Sequence, residues 1–299
     1  MKKRLIIDGS NALHRAYWIA NNKKDVFDRI GTIFIFLKSL KTTVDRFKPD
    51  ETWITWDKKI KYPSTNFRKE LTGNVYKIQR DKTRTEQVHE CHDKLVEWIK
   101  LLGVYQLYPY VLEADDVISW LTQNNKDGTN IIVSMDKDLL QLVSANTIIY
   151  NPIKRVDTTA LTFEDTIGVD IKNYLYYKAL LGDTSDNVEG IYGYGKQKSK
   201  KFATLGLAAI SEELSPEELA IFQKNLKIMD LSDSFTKEIG EVECYQQQFI
   251  EQTQNITPKL SEFEKKCDNN GFLQFSRKIN EWKDVFEHKD KLLNILHDL

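Results

Sequence analysis

The sequence predicts an α/β protein: a mostly parallel sheet with helices on both faces, followed by a helical C-terminal region. Three observations lead there. Short apolar runs of strand length alternate with longer segments in which apolar residues recur every three or four positions, the pattern of βαβ units. Several of those runs are apolar without alternation, as expected of strands covered on both faces. They also end repeatedly in aspartate, which sets acidic side chains along the carboxyl edge of the sheet, where such sheets bind ligands.

Leu5-Ile6-Ile7 is the first buried strand, and Asp8-Gly9 closes it. Phe27, Ile30, Ile33, Phe34, Leu37 and Leu40 then mark a helix over 26–47, which Pro49 stops. Trp53-Ile54-Thr55-Trp56 is a strand ending on Asp57. A helix over about 85–102 ends at Gly103, and residues 104–108 form the next strand. Glu113-Ala114-Asp115-Asp116 opens a helix that continues through Val117 and Leu121. Acids in a first turn suit the positive end of the helix dipole, a wholly structural reading that would suffice if the stretch stood alone. Ile131-Ile132-Val133-Ser134 runs as a strand into Met135-Asp136-Lys137-Asp138, a short helix covers 139–143, and residues 147–150 form a further strand. Asp136 and Asp138, two apart, point the same way on extended backbone. Past Asn151-Pro152 no strand is predicted, so a boundary near 155 separates residues 1–155 from a helical region, 156–299.

Composition bounds the partners. The 299 residues are 41% hydrophobic and 11% aromatic, and carry a net charge of −1, which describes a globular chain whose total charge selects no partner. Cys91, Cys244 and Cys267 lack metal-ligand spacing, and the five histidines are scattered, so neither a disulfide framework nor a zinc site is expected. No secretory signal or 18-residue apolar run is seen, and a cytoplasmic setting without membrane contact is expected.

Two stretches carry chemistry. Asp8, Asp57, Asp136 and Asp138 fall on one sheet edge, together with the acids from Glu113 to Asp116, and Asp183 and Asp186 follow in Gly182-Asp183-Thr184-Ser185-Asp186-Asn187. Up to nine carboxylates without a counter-charge would repel one another, so divalent cations, hard ions that take oxygen ligands, are expected among them. Two such ions could activate a water and stabilise a leaving oxygen. Residues 58–84 hold nine basic residues against Glu70 and Asp81, with Tyr62, Phe67 and Tyr76 interleaved. Lysine stems covering apolar surface would explain part of this, whereas cations and rings together suit a threaded single strand. Gly190-Ile191-Tyr192-Gly193-Tyr194-Gly195 leads into Lys196-Gln197-Lys198-Ser199-Lys200, an arrangement that offers backbone N–H groups and ammonium charge to phosphate.

These motifs, in this order, resemble the flap endonuclease and 5′-3′ exonuclease family, particularly its bacteriophage branch with the phage-type RNase H. The likeness runs through Ile6-Ile7-Asp8-Gly9, Trp56-Asp57, Phe67-Arg68, Tyr76-Lys77-Ile78-Gln79-Arg80, the acidic stretches and the glycine loop, and fades past about residue 205. The resemblance implies a Rossmann-like (PIN-like) core, a helical arch at about 58–84 and a helix-three-turn-helix element at about 175–205. It implies Mg²⁺-dependent cleavage of DNA at 5′ ends, flaps or forks, and of RNA in RNA–DNA hybrids, with Mn²⁺ as a substitute ion. Asp8, Asp57, Glu113, Asp115 and Asp136 would hold one ion, and Asp138, Asp183 and Asp186 a second, largely through water. Asp116 would join them or support them. Lys77 and Arg80 would face the scissile phosphate, and Tyr76 would stack on a base. Arg68, Arg84, Gly190, Gly193, Gly195, Lys196, Lys198 and Lys200 would touch DNA, with K⁺ on the loop's carbonyls. At the loop's usual proline positions this chain has Tyr192 and Lys196, and Gln197 replaces a lysine.

A monomer is expected, with a single-strand-binding protein or sliding clamp as partner; the aromatic series at Trp282 and Phe286 reads as a helix packing face, with docking of a replication partner as the alternative. Two rivals remain: a single-strand RNase on the same core type, which would not need the element over 190–201, and a DNA-binding protein that has lost catalysis, which should lack a carboxylate.

Overall fold

The parallel sheet and its two helical layers are present, and the register explains why. In this computed structural model, residues 1–22, 26–57, 67–73, 75–77, 82–232, 234 and 241–287 are described, without the side chains of 82–85. The strands are β1 (Lys3–Asp8), β2 (Glu51–Thr55), β3 (Tyr105–Leu107), β4 (Thr129–Val133), β5 (Thr147–Asn151) and β6 (Val156–Thr158). Their order is β3-β2-β1-β4-β5-β6, with β1 to β5 parallel and β6 antiparallel to β5. The helices are α1 (Gly9–Asn21), α2 (Arg29–Phe47), α3 (Phe67–Leu71), α4 (Lys82–Leu101), α5 (Ala114–Gln123), α6 (Phe163–Ile167), α7 (Ile171–Leu181), α8 (Lys196–Leu205), α9 (Leu207–Glu213), α10 (Pro216–Met229), α11 (Glu241–Asn255), α12 (Leu260–Asn269), α13 (Leu273–Ser276) and α14 (Ile279–Phe286).

Successive residues of a strand face opposite sides, and here both sides are apolar. Leu5 and Ile7 of β1, Ile54 of β2, and Ile131 and Val133 of β4 join a core with α1, α2, α4 and the last three helices. Ile6, Trp53 and Ile132 join the other core, with α5, α6, α7 and α11. At the opposite end of the sheet, the buried Arg4 donates to Glu51 (2.9 Å) and to the Leu121 carbonyl (2.8 Å), tying β1 to β2 and α5.

Three features differ from the sequence expectation. Residues 9–21 are helical: the Asp8 carboxylate accepts from the Asn11 N–H (2.9 Å) and starts α1 directly at the strand end. The segment after Asp136 is a 3-10 turn (Asp138–Leu142), so Asp136 and Asp138 do not share extended backbone. A sixth strand, β6, folds back on β5, which puts the expected boundary near 155 inside that hairpin. Trp282 and Phe286 are 1% and 4% exposed and pack in the core, as the packing face expected of them and not as a docking face.

The chain leaves β1 for β2 on one side and returns to place β4 on the other. The crevice over the carboxyl ends of β1 and β4 is therefore the topological switch point, the usual ligand position in open α/β sheets.

Candidate active site at the carboxyl rim of the sheet

Asp8 ends β1, and both of its oxygens are fixed. One accepts from the Asn11 N–H and the other from the Ser134 hydroxyl (2.7 Å), whose own oxygen accepts from the Asp136 N–H (3.0 Å). The ends of β1 and β4 are thus locked side by side. Asp57, just past β2, receives the Ala114 N–H at 2.9 Å, while its own N–H donates to Ser10 (2.9 Å). That bond draws the start of α5 to the rim and brings Asp115 with it. All these partners are neutral, so they orient the carboxylates without cancelling their charge.

The electrostatics show the cost. Burial, then Asp57 and Asp136, push the Asp8 carboxyl up to about 7. Burial, then Asp136, Asp8 and Asp57, raise Asp115 well above the usual carboxylate range. Asp136 is raised by burial and by Asp138. Such mutual destabilisation of the charged forms is what a bound cation relieves, and an all-oxygen donor set suits a hard divalent ion. Among the described residues no three His, Cys, Asp or Glu side chains are gathered tightly enough to grip an ion directly as they stand. The four aspartates are instead separate oxygen donors along one rim.

A second group lies beside them and is compensated by protein cations. Glu113 pairs with Lys77 (2.9 Å), and Lys77 also approaches Asp186 at 3.5 Å. The Tyr76 hydroxyl lies within hydrogen-bonding distance of both Glu113 (3.0 Å) and Asp186 (3.1 Å). Burial would raise the Glu113 carboxyl, but Lys77 and Arg68 hold it down at about 2. Asp186 stays raised, chiefly by burial. Lys178 of α7 reaches Asp138 (2.8 Å) and Asp183 (2.7 Å); this bond and those from Ser185 outweigh burial and hold Asp183 at about 2. Sequence reasoning missed Lys178. Its only signal was a single charge within the otherwise apolar stretch 174–181, and here it is 7% exposed. Glu113 therefore faces Lys77 rather than standing with Asp8, and the expected second set of acids already holds an ammonium.

Other expected contacts are also placed differently. Arg68 is 2% exposed and makes a two-pronged pair with the fully buried Asp116 (2.7 Å and 2.7 Å), its Nε donating to the Ile228 carbonyl (2.9 Å). Neither Arg68 nor Asp116 is presented to DNA or to an ion; together they fasten α3 and α10 to α5. Tyr76 is buried against Val188, Ile228 and Met229, so its ring is not available to stack on a base. Gly190 lies against the backbone of Leu181 and Gly182, where a Cβ would meet the Leu181 oxygen at 2.2 Å, so its part is close packing rather than phosphate contact. The Lys200 ammonium donates to the Ile167 carbonyl at the end of α6 instead of projecting to DNA.

Lys196, Lys198, Gly193 and Gly195 are exposed, and Gly193 and Gly195 have open space around them. Lys198 lies over the Tyr194 ring, 3.8 Å from its centroid. Arg80 lies outside the described residues; Arg84 lies in α4, its side chain likewise outside them.

The architecture has relatives. Residues 3–168 match the family described as 5′-3′ exonuclease, N-terminal resolvase-like domain. A 5′-3′ exonuclease of Mycoplasmopsis pulmonis is 30% identical over 237 residues, 77% of this chain and 76% of that protein. DNA polymerase I of Lactococcus lactis subsp. cremoris is 29% identical over 304 residues, 92% of this chain but 33% of the polymerase. A solved structure of the bacteriophage T5 flap endonuclease, a pseudo-enzyme-product complex with DNA and metal ions, superposes with a TM-score of 0.68 at 19% identity, over 85% of this chain and 98% of that one. Flap endonuclease-1 from Methanococcus jannaschii gives 0.58 at 12% identity, over 96% and 94%.

Proposed function

The chain belongs to the 5′-3′ exonuclease family and is a nuclease, a phosphodiesterase, and we propose that it is a Mg²⁺-dependent, structure-specific one that acts on DNA at 5′ ends and flaps. The observation that carries this reading is the convergence of Asp8, Asp57, Asp115 and Asp136 from four distant parts of the chain, with the carboxyls of Asp8, Asp115 and Asp136 raised and with Lys77 beside them. Divalent ions bound there would supply an activated water and neutralise the leaving oxygen. The chain's own residues do the rest. Ser134, Asn11, Ser10 and the Ala114 N–H aim the carboxylates, and the ammonium of Lys77, anchored by Glu113, offsets charge that develops on the phosphate. Gly193, Gly195, Lys196 and Lys198 present N–H groups and charge to the duplex backbone, with K⁺ on the loop carbonyls. RNA in RNA–DNA primers is a second substrate, and the setting is replication and repair in the cytoplasm, by a monomer.

The test is cleavage of a labelled 5′-flap DNA, with and without Mg²⁺, beside an unstructured RNA. Flap cleavage in Mg²⁺ alone is expected, and Asp136→Asn should lower turnover by at least ~10²-fold with little loss of DNA binding. Wild-type turnover by Asp136→Asn would sink the assignment, and preference for the unstructured RNA would favour a single-strand RNase.

A further inference from the structure

Helix α11 lies along β3 and does something the nuclease reading leaves unused. β3 is an edge strand, so one side of its backbone has no strand partner. Side chains of α11 take that place. Gln252 accepts the Gln106 N–H (2.6 Å) and donates to the Gln106 carbonyl, and Gln248 does the same for Tyr108 at 3.1 Å and 2.9 Å. A glutamine amide carries both a donor and an acceptor, so it can mimic a strand neighbour residue by residue. The grip then continues past the strand. The carboxylate of Glu241, 2% exposed, accepts three successive backbone N–H groups, from Tyr110 (3.2 Å), Val111 and Leu112 (3.1 Å). The next residues are Glu113, which pairs with Lys77, and Ala114 and Asp115, which enter the acidic rim.

We infer that Glu241 is a positioning residue for the nuclease reaction: by clasping the Tyr110, Val111 and Leu112 amides it fixes where Glu113 and Asp115 arrive at the rim. The inference rests on the nuclease reading for its consequence, though not for its geometry. A carboxylate suits the task because it only accepts, and three convergent N–H donors need only acceptors. Glutamine at 241 keeps the shape but turns one acceptor into a donor facing donors.

The test combines exchange and kinetics on the full-length protein. In metal-free Glu241→Gln, amide hydrogen exchange over 108–116 should speed up while β1 and α2 keep their protection. Its kcat on flap DNA should fall by ~10–100-fold and its Mg²⁺ half-saturation should rise, the range typical when a group supporting metal ligands is changed. DNA affinity measured in chelator should stay within about twofold, and exposed Glu243→Gln on the same helix should behave as wild type. Should Glu241→Gln fail to fold, Glu241→Asp, which keeps the charge but shortens the reach, takes its place and should show the same changes in smaller degree. Unchanged exchange over 108–116, or wild-type kcat and metal dependence in the folded variant, would overturn the inference. If the wild-type protein cleaved no DNA, the nuclease reading would fail instead, and the exchange result would still decide whether the clasp exists.

Discussion

Glu51 and the rim aspartates show how differently buried carboxylates fare. Burial alone would raise Glu51, but Lys2 and Arg4 outweigh it and hold the carboxyl below its ordinary value of 4.5. At the rim burial and the neighbouring aspartates prevail, Lys77 offsetting only part of their effect on Asp115, and both Asp8 and Asp115 are raised. Because the folded-state value of Glu51 is depressed, its stabilisation is fully present above pH ~4.5 and is lost as pH falls below that through the lower folded-state value. Glu51→Gln strands the buried Arg4 guanidinium and should cost ~3–5 kcal/mol at neutral pH, with the gap to wild type narrowing in acid. Urea unfolding at pH 7 and pH 3 checks both parts, and an equal gap at the two pH values would contradict the linkage. The Asp at or beyond the end of β1, β2 and β4 is readable in the sequence, but the presence or absence of a nearby cation is not. Arg4 and Glu51 are 47 residues apart.

Single elements here are fastened by buried polar groups as much as by apolar faces. Helix α3 is a five-residue piece held through Arg68 to Asp116 of α5 and to the end of α10. Removing one partner of a buried pair leaves the other uncompensated, at ~3–5 kcal/mol. Arg68→Ala and Asp116→Asn should therefore each destabilise strongly, and the double variant should lose much less than their sum, as measured by denaturant unfolding in a double-mutant cycle. Strict additivity would mean the two residues do not act as a pair. The motif Phe67-Arg68 was visible in the sequence and its family role suggested DNA. Packing chose otherwise, because α3 docks with Arg68 facing inward. Tyr76 and Gly190 were legible as motif positions in the same way and turn inward for the same reason.

For the molecule as a whole, the last three described helices, α12 to α14, complete the first core rather than forming an appendage. Trp282 packs on Phe263 (4.8 Å) and Phe275 (4.7 Å), and Phe275 stacks on Phe34 of α2 at 4.4 Å and 3°. Trp282→Ala should cost ~3–5 kcal/mol of stability and lower Tm, while cleavage per folded molecule stays near wild type. An unchanged Tm would mean that these helices do not share the core's cooperative unit. The last helices were expected only as helical character, since their periodicity shows an apolar face without showing what it covers.

What the sequence determined by itself was local: where strands begin and end, that β1, β2 and β4 are buried on both faces, and that aspartates follow their carboxyl ends. Parallel strands then bring those ends to one rim by geometry, so the acidic edge could be foreseen. Only the tertiary structure decided which acids meet a cation, through Lys77, Lys178 and Arg68, and which remain raised. Only it placed Glu241 under the approach to Glu113. The reason is physical: a strand or cap is written in neighbouring residues, whereas a buried charge is stabilised or destabilised by whatever the fold packs against it.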